Sequence, residues 1–68
     1  MPDEKNPLTP REVEVLAAVT EYGSRQDAAN ALGISVRTVS SHLRAIYRRL
    51  DTHSTAQAYQ KASNAGWL

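Results

Sequence analysis

Only Gly33 and Ile34 separate two stretches of this chain that both carry helix signatures. The stretch before them, "SRQDAANALG", opens on Ser24 with Asp27 three residues on. It closes on Gly33, the residue type that takes the left-handed conformation after a helix end without a Cβ penalty. The stretch after them opens on Ser35, another good N-cap. A connection this short forces a sharp corner between the helices, as in a helix-turn-helix. Most other chain paths are excluded by that corner alone.

The flanking segments supply two more helices. At "LTPRE", Thr9 is an N-cap, Pro10 suits the first helical position, and Glu12 completes a capping box. Leu8 is placed to staple onto Val13, while Val15, Leu16 and Val19 continue the Glu12 stripe until Gly23 stops the helix. The second helix has a narrow apolar edge of Ala28, Ala29 and Leu32, small enough for close packing. The third is predicted to run to about Leu50. The fourth follows "DTH", with Ser54 and Gln57 as a further capping box, spans about Thr55 to Asn64 and stops at Gly66. Trp67 and Leu68 are expected to fold back as an apolar plug.

No strand signal interrupts these elements, so the fold class is all-α: a compact four-helix helix-turn-helix domain over residues 8–68. Residues 1–7, "MPDEKNP", are polar, hold two prolines and show no apolar period, and read as a flexible tail. A chain of 68 residues buries only about 60% of its unfolded surface, so modest stability is expected.

Placed on a wheel at about 100° per residue, the third helix divides sharply. Val36, Val39, Leu43, Ile46, Tyr47 and Leu50 occupy one third of its circumference and form the expected core face. Arg37, Ser40, Ser41, Arg44 and Arg48 fill the adjacent sector. Thr38, His42, Ala45 and Arg49 take the rest. One side anchors the helix while another presents guanidinium groups and small hydroxyls. A DNA major groove is about 12 Å wide and admits one such helix, with arginine bonding guanine O6 and N7 and serines letting the backbone approach. The plainer reading is that Arg48 and Arg49 complement the helix C-terminal dipole and that Arg37 and Arg44 are solvated surface. It explains less well a whole face without one acidic residue, delivered by a two-residue turn.

The charge distribution points the same way. Residues 1–34 carry three basic and six acidic groups, residues 35–68 five basic and one acidic. The net charge of +1 hides this asymmetry, which fits a polyanion partner on one side.

Other chemistries find little footing. There is no cysteine, hence no disulfide and no thiolate metal site, which suits a reducing compartment. His42 and His53 do not have metal-ligand spacing, and His42 reads as a core-edge residue satisfied locally. Tyr22, Tyr47, Tyr59 and Trp67 read as packing residues. No nucleophile–base pair, metal cluster or phosphate loop is evident, so neither an enzyme nor a cofactor is expected. No apolar run approaches the ~18 residues of a membrane span and no signal peptide is visible, so no membrane role and a cytoplasmic location are expected.

Together, "LTPREVEVLAAV", "SRQDAANALGISVRTVSSHLRAIYRRL" and "HSTAQAYQKASNAGWL" resemble the LuxR-type helix-turn-helix domain of bacterial transcription regulators. The resemblance spans about Leu8 to Leu68. It rests on the Leu-Thr-Pro-Arg-Glu start, the turn from Ala29 through Leu32-Gly33-Ile34-Ser35, the pairs Thr38-Val39 and His42-Leu43, and Leu50. It implies a domain that binds double-stranded DNA as a homodimer with the third helix in the major groove. By that resemblance Ser40, Ser41 and Arg44 face the bases. Ser35, Arg37, Thr38 and Arg48 face the backbone, with Arg25 and Gln26 at the start of the second helix. The fourth helix supplies the dimer contact, for which Ala58, Tyr59, Ala62 and Ala65 are the candidates.

Three positions depart from the pattern. Ser40 stands where lysine is frequent, Ala28 where a larger aliphatic residue is common, and Tyr59, Gln60 and Lys61 where the family is more apolar. The last implies a dimer that is weak without DNA. Such domains usually adjoin a receiver or ligand-binding domain, for which 68 residues leave no room. The chain is thus expected to be either a stand-alone regulator, which Met1 allows, or an excised domain. The competing function is a protein-interaction module of the sigma-factor type, engaging RNA polymerase or another regulator. That module would carry exposed apolar anchors on the third helix.

Overall fold

The first helix forms where its cap directs it. Glu12 N–H donates to Thr9 Oγ1 at 3.1 Å and Thr9 N–H donates back to the Glu12 carboxylate at 3.0 Å, closing the capping box. From there α1 runs Pro10–Tyr22 in the computed structural model, which describes residues 6–68. It is followed by α2 (Arg25–Leu32), α3 (Val36–Leu50) and α4 (Thr55–Asn64), and no strand occurs among the described residues. Ser24, Ser35 and Ser54 each accept from the backbone N–H three residues on, which starts the other three helices as their sequences direct. The Gln57 side chain accepts from His53 N–H rather than from Ser54 N–H, so the capping box expected at the fourth helix is offset by one residue.

The helix ends are closed by left-handed residues. Gly33 has φ 72°; its N–H reaches Asn30 C=O while Ile34 N–H reaches Ala29 C=O at 3.0 Å, which turns the chain from α2 into α3. Asp51 closes α3 in the same way at φ 57°, the sole residue other than glycine with positive φ among those described. The last carbonyl of α3, Leu50 C=O, also accepts from Lys61 Nζ at 2.7 Å. That bond gives Lys61 a structural role that its departure from the family pattern did not foretell.

α1 and α3 form the centre, and each packs against the other three helices. α2 and α4 flank this pair without touching one another. The core comprises Leu8, Val15, Leu16, Ala18 and Val19 of the first segment, Ala28 and Ala29 of α2, Val39, Leu43, Ile46 and Leu50 of α3, and Ala58 and Ala62 of α4. The alanines let the short flanking helices lie close to the central pair. Ala28 is fully enclosed.

Glu12 occupies an apolar stripe position and is only 4% exposed. Its carboxylate is held by Thr9 N–H and by the Arg49 guanidinium, which bridges α3 to the start of α1. Arg49 is therefore a cross-helix partner rather than only a dipole complement. The C-terminal plug is half formed: Trp67 packs against the core, but Leu68 is 41% exposed. Tyr47 is half-buried and its hydroxyl pairs with Thr55 Oγ1 at 2.8 Å, whereas Tyr22 and Tyr59 are exposed and do not act as packing residues.

Residues 1–5 of the expected tail lie outside the described residues. Asn6 belongs to the domain's hydrogen-bond network: it accepts from Leu8 N–H at 2.9 Å and donates to Trp67 C=O at 3.3 Å. No described helix is long and apolar enough to cross a membrane.

Candidate nucleic-acid interface

The strong amphipathicity of α3 decides which of its side chains are available. Val39, Leu43, Ile46 and Leu50 turn inward, and Val36 and Tyr47 pack at the edge of the same face. Arg37, Ser41, Arg44 and Arg48 are exposed on the adjacent face, with Ser40 half-buried at its border with the core. Among the described residues the ion pairs are Arg11–Glu14 and Arg49–Glu12. Arg37, Arg44 and Arg48 are thus exposed to solvent with no carboxylate partner among the described residues.

The corner at Gly33 and Ile34 brings the start of α2 against this face. Arg25 Nη1 donates to Ser40 Oγ at 3.0 Å. Arg25, Ser40, Arg44 and Tyr47 line a shallow concavity of about 230 Å³. Gln26, one residue on, donates along α2 to Asn30 Oδ1 at 3.3 Å. Ser35 and Thr38 are exposed at the start of α3, but their side chains are already engaged. Ser35 caps Thr38 N–H at 3.0 Å and the two hydroxyls pair at 3.0 Å. The surface they offer is therefore mainly the helix N-terminus itself.

The four residues expected at a dimer seam do not share one fate. Ala58 and Ala62 are 0% exposed and lie in the core, because the apolar edge of α4 is needed to cover the central pair. They have no surface to give a partner, and this corrects their assignment. Tyr59, at 37% exposure, and Ala65 remain at the surface.

Sequence reasoning missed two features of the interface: the bond from Arg25 to Ser40 and the place of Tyr47 in the wall of the concavity. Neither has a local signal, since Arg25 and Ser40 lie 15 residues apart on different helices. His42 is half-buried on the third side of α3, and no hydrogen bond supplies its expected local partner among the described residues.

A short helix abutting a second across a tight corner, the second presenting unpaired arginines, defines a helix-turn-helix DNA-binding domain of transcription regulation. Within that class the chain belongs to the luxR family of bacterial regulatory proteins, whose family model matches residues 6–62. It is 38% identical over 61 residues to the HTH-type transcriptional activator RamA of Corynebacterium glutamicum, a match covering 90% of this chain and 22% of RamA. It is 33% identical over 65 residues to the transcriptional regulatory protein DesR of Bacillus subtilis, covering 96% of this chain and 33% of DesR. The uncharacterized response regulatory protein YgeK of Escherichia coli is 34% identical over 61 residues, covering 90% of this chain and 42% of YgeK. The chain thus spans well under half the length of these relatives.

Proposed function

We propose that this domain binds double-stranded DNA sequence-specifically, with α3 lying in the major groove, and so directs transcription. The observation that carries the reading is the α3 face itself. Arg37, Arg44 and Arg48 are exposed there without carboxylate partners among the described residues, around two small serines. An unneutralised arginine face attracts the phosphate backbone, and a serine-lined centre lets the helix approach base edges. Arg44, mid-helix, reads a base. Arg37 and Arg48, nearer the helix ends, grip phosphates, together with Arg25 and Gln26 and with the N-terminus of α3 at Ser35 and Thr38.

One helix in one groove reads few base pairs, so two copies act on half-sites about one DNA turn, roughly 10 base pairs, apart. α4 supplies the contact through Tyr59 and Ala65. The other reading, an interaction module that engages RNA polymerase through α3, is disfavoured. Among the described residues the exposed large apolar ones, Tyr22, Tyr59 and Leu68, all lie off α3.

The test is selection of bound sites from random duplex DNA. The expected outcome is a short motif repeated with two-fold symmetry at about one-turn spacing. Recovery of unselected sequences would overturn specific recognition.

A further inference from the structure

A serine hydroxyl in the major groove normally bonds to either donors or acceptors. It carries one O–H donor and two lone pairs, and rotation of the proton lets it suit its neighbour. Ser40 has less of this freedom, because one of its lone pairs is already taken. Resting on the reading of α3 as a groove helix, we propose that Arg25 is a positioning residue that biases Ser40 towards donating. Ser40 then donates to base acceptors and discriminates against cytosine.

Arg25 Nη1 lies 3.0 Å from Ser40 Oγ. A guanidinium has donors and no acceptor, so the proton in this bond belongs to Arg25 and a Ser40 lone pair is occupied. Ser40's own proton must point elsewhere. The common intrahelical outlet is a carbonyl four residues back, which Thr20 uses by donating to Leu16 C=O at 2.9 Å. Ser40 makes no such bond among the described residues, so its proton is left for the solvent side.

The surroundings reinforce the direction. The concavity of about 230 Å³ is lined by Arg25, Ser40, Arg44 and Tyr47. Both arginines are donors only. The Tyr47 hydroxyl is engaged with Thr55 Oγ1 at 2.8 Å, toward α4. Apart from the one remaining Ser40 lone pair, the polar atoms available to a ligand here are donors, two of them cationic, so the complementary group is an acceptor. Guanine O6 and N7, thymine O4 and adenine N7 qualify, whereas cytosine presents its N4 amino donor. Ser41, one residue on, is exposed and has no hydrogen-bond partner among the described residues, so it keeps both directions.

The test is site selection with the wild type, Ser40→Ala, Arg25→Ala and the double variant, each checked for unchanged helix content. In the wild type, one position of each half-site should disfavour cytosine roughly threefold to tenfold, the effect of one net hydrogen bond. Ser40→Ala should erase that preference alone. Arg25→Ala should admit cytosine at the same position, whatever uniform loss of affinity it also causes. The double variant should be no more permissive there than Ser40→Ala. An Arg25→Ala protein that binds all sequences more weakly but keeps the preference overturns the proposal, as does a further relaxation in the double variant. A wild type that selects no motif overturns the groove reading itself. A motif that survives while Arg25 leaves the Ser40 position unmoved overturns only this inference.

Discussion

Asp51 stands where α1 and α2 end on glycine. Gly23, Gly33 and Asp51 close their helices at φ 80°, 72° and 57°, and Gly66, one residue past the α4 cap Ala65, has φ 80°. Asp tolerates this region better than most residues with a Cβ, yet its negative charge sits at the negative end of the α3 dipole. Asp51→Asn keeps the backbone tolerance and removes the charge, so it should raise stability by about 0.3–1 kcal/mol in urea melts at low salt. A fall would mean that the carboxylate is held by its neighbours. The Glu12–Arg49 pair has the opposite asymmetry. Glu12 is buried while the Arg49 side chain is 41% exposed, so the two ends differ in what they lose. Arg49→Met leaves a buried carboxylate with only the Thr9 N–H and should cost about 1–3 kcal/mol. Glu12→Gln keeps an acceptor for Thr9 and leaves Arg49 hydrated, so it should cost less. Equal losses would show that the charge of Glu12 and not its burial sets the effect.

At the scale of the element, α3 is two surfaces on one rod, and each can be removed separately. Leu43 is 0% exposed at its centre, and Leu43→Ala should cost about 2–5 kcal/mol, enough to unfold much of so small a domain. A thermal midpoint unchanged by that substitution would contradict the packing. On the other surface, Arg44→Ala should lose about 1–3 kcal/mol on the preferred site and relax its sequence preference. Arg37→Ala or Arg48→Ala should instead weaken binding to all duplexes and shallow the logarithmic salt dependence by about one unit. Equal loss on specific and random DNA would remove Arg44 from base reading. The helices, their starts and the inward face of α3 were legible in the chain because caps and periodicity are local. Thr9 with Glu12, Ser24, Ser35 and Ser54 announce themselves within three residues. Illegible were the pairings that depend on how helices cross: Arg49 with Glu12, Lys61 with the end of α3, Arg25 with Ser40. For the same reason the Ala58, Ala62 and Ala65 stripe was recognisable as a face, but its assignment to a partner failed for Ala58 and Ala62, which lie in the core.

For the whole molecule, the inward turn of Ala58 and Ala62 leaves α4 little apolar area for a second copy. Tyr59 and Ala65 alone, at about 25 cal/mol per Å² of apolar surface, make a weak seam. The protein should therefore sediment as a monomer at micromolar concentration and as two copies on a duplex with two half-sites. A tight dimer in the absence of DNA would show that the seam is larger than α4, and a strict one-to-one complex on that duplex would remove the dimer. A separate consequence follows from the bond between Asn6 and the Trp67 carbonyl. It sets the entry and exit of the fold side by side, 61 residues apart along the chain and within one hydrogen bond in space. A tether leaving by either end departs from the same pole, so fusing a neighbouring domain upstream or downstream gives nearly the same anchoring point. The topology is thereby suited to exchange of attachment order, and to closure into a ring by a linker of a few residues.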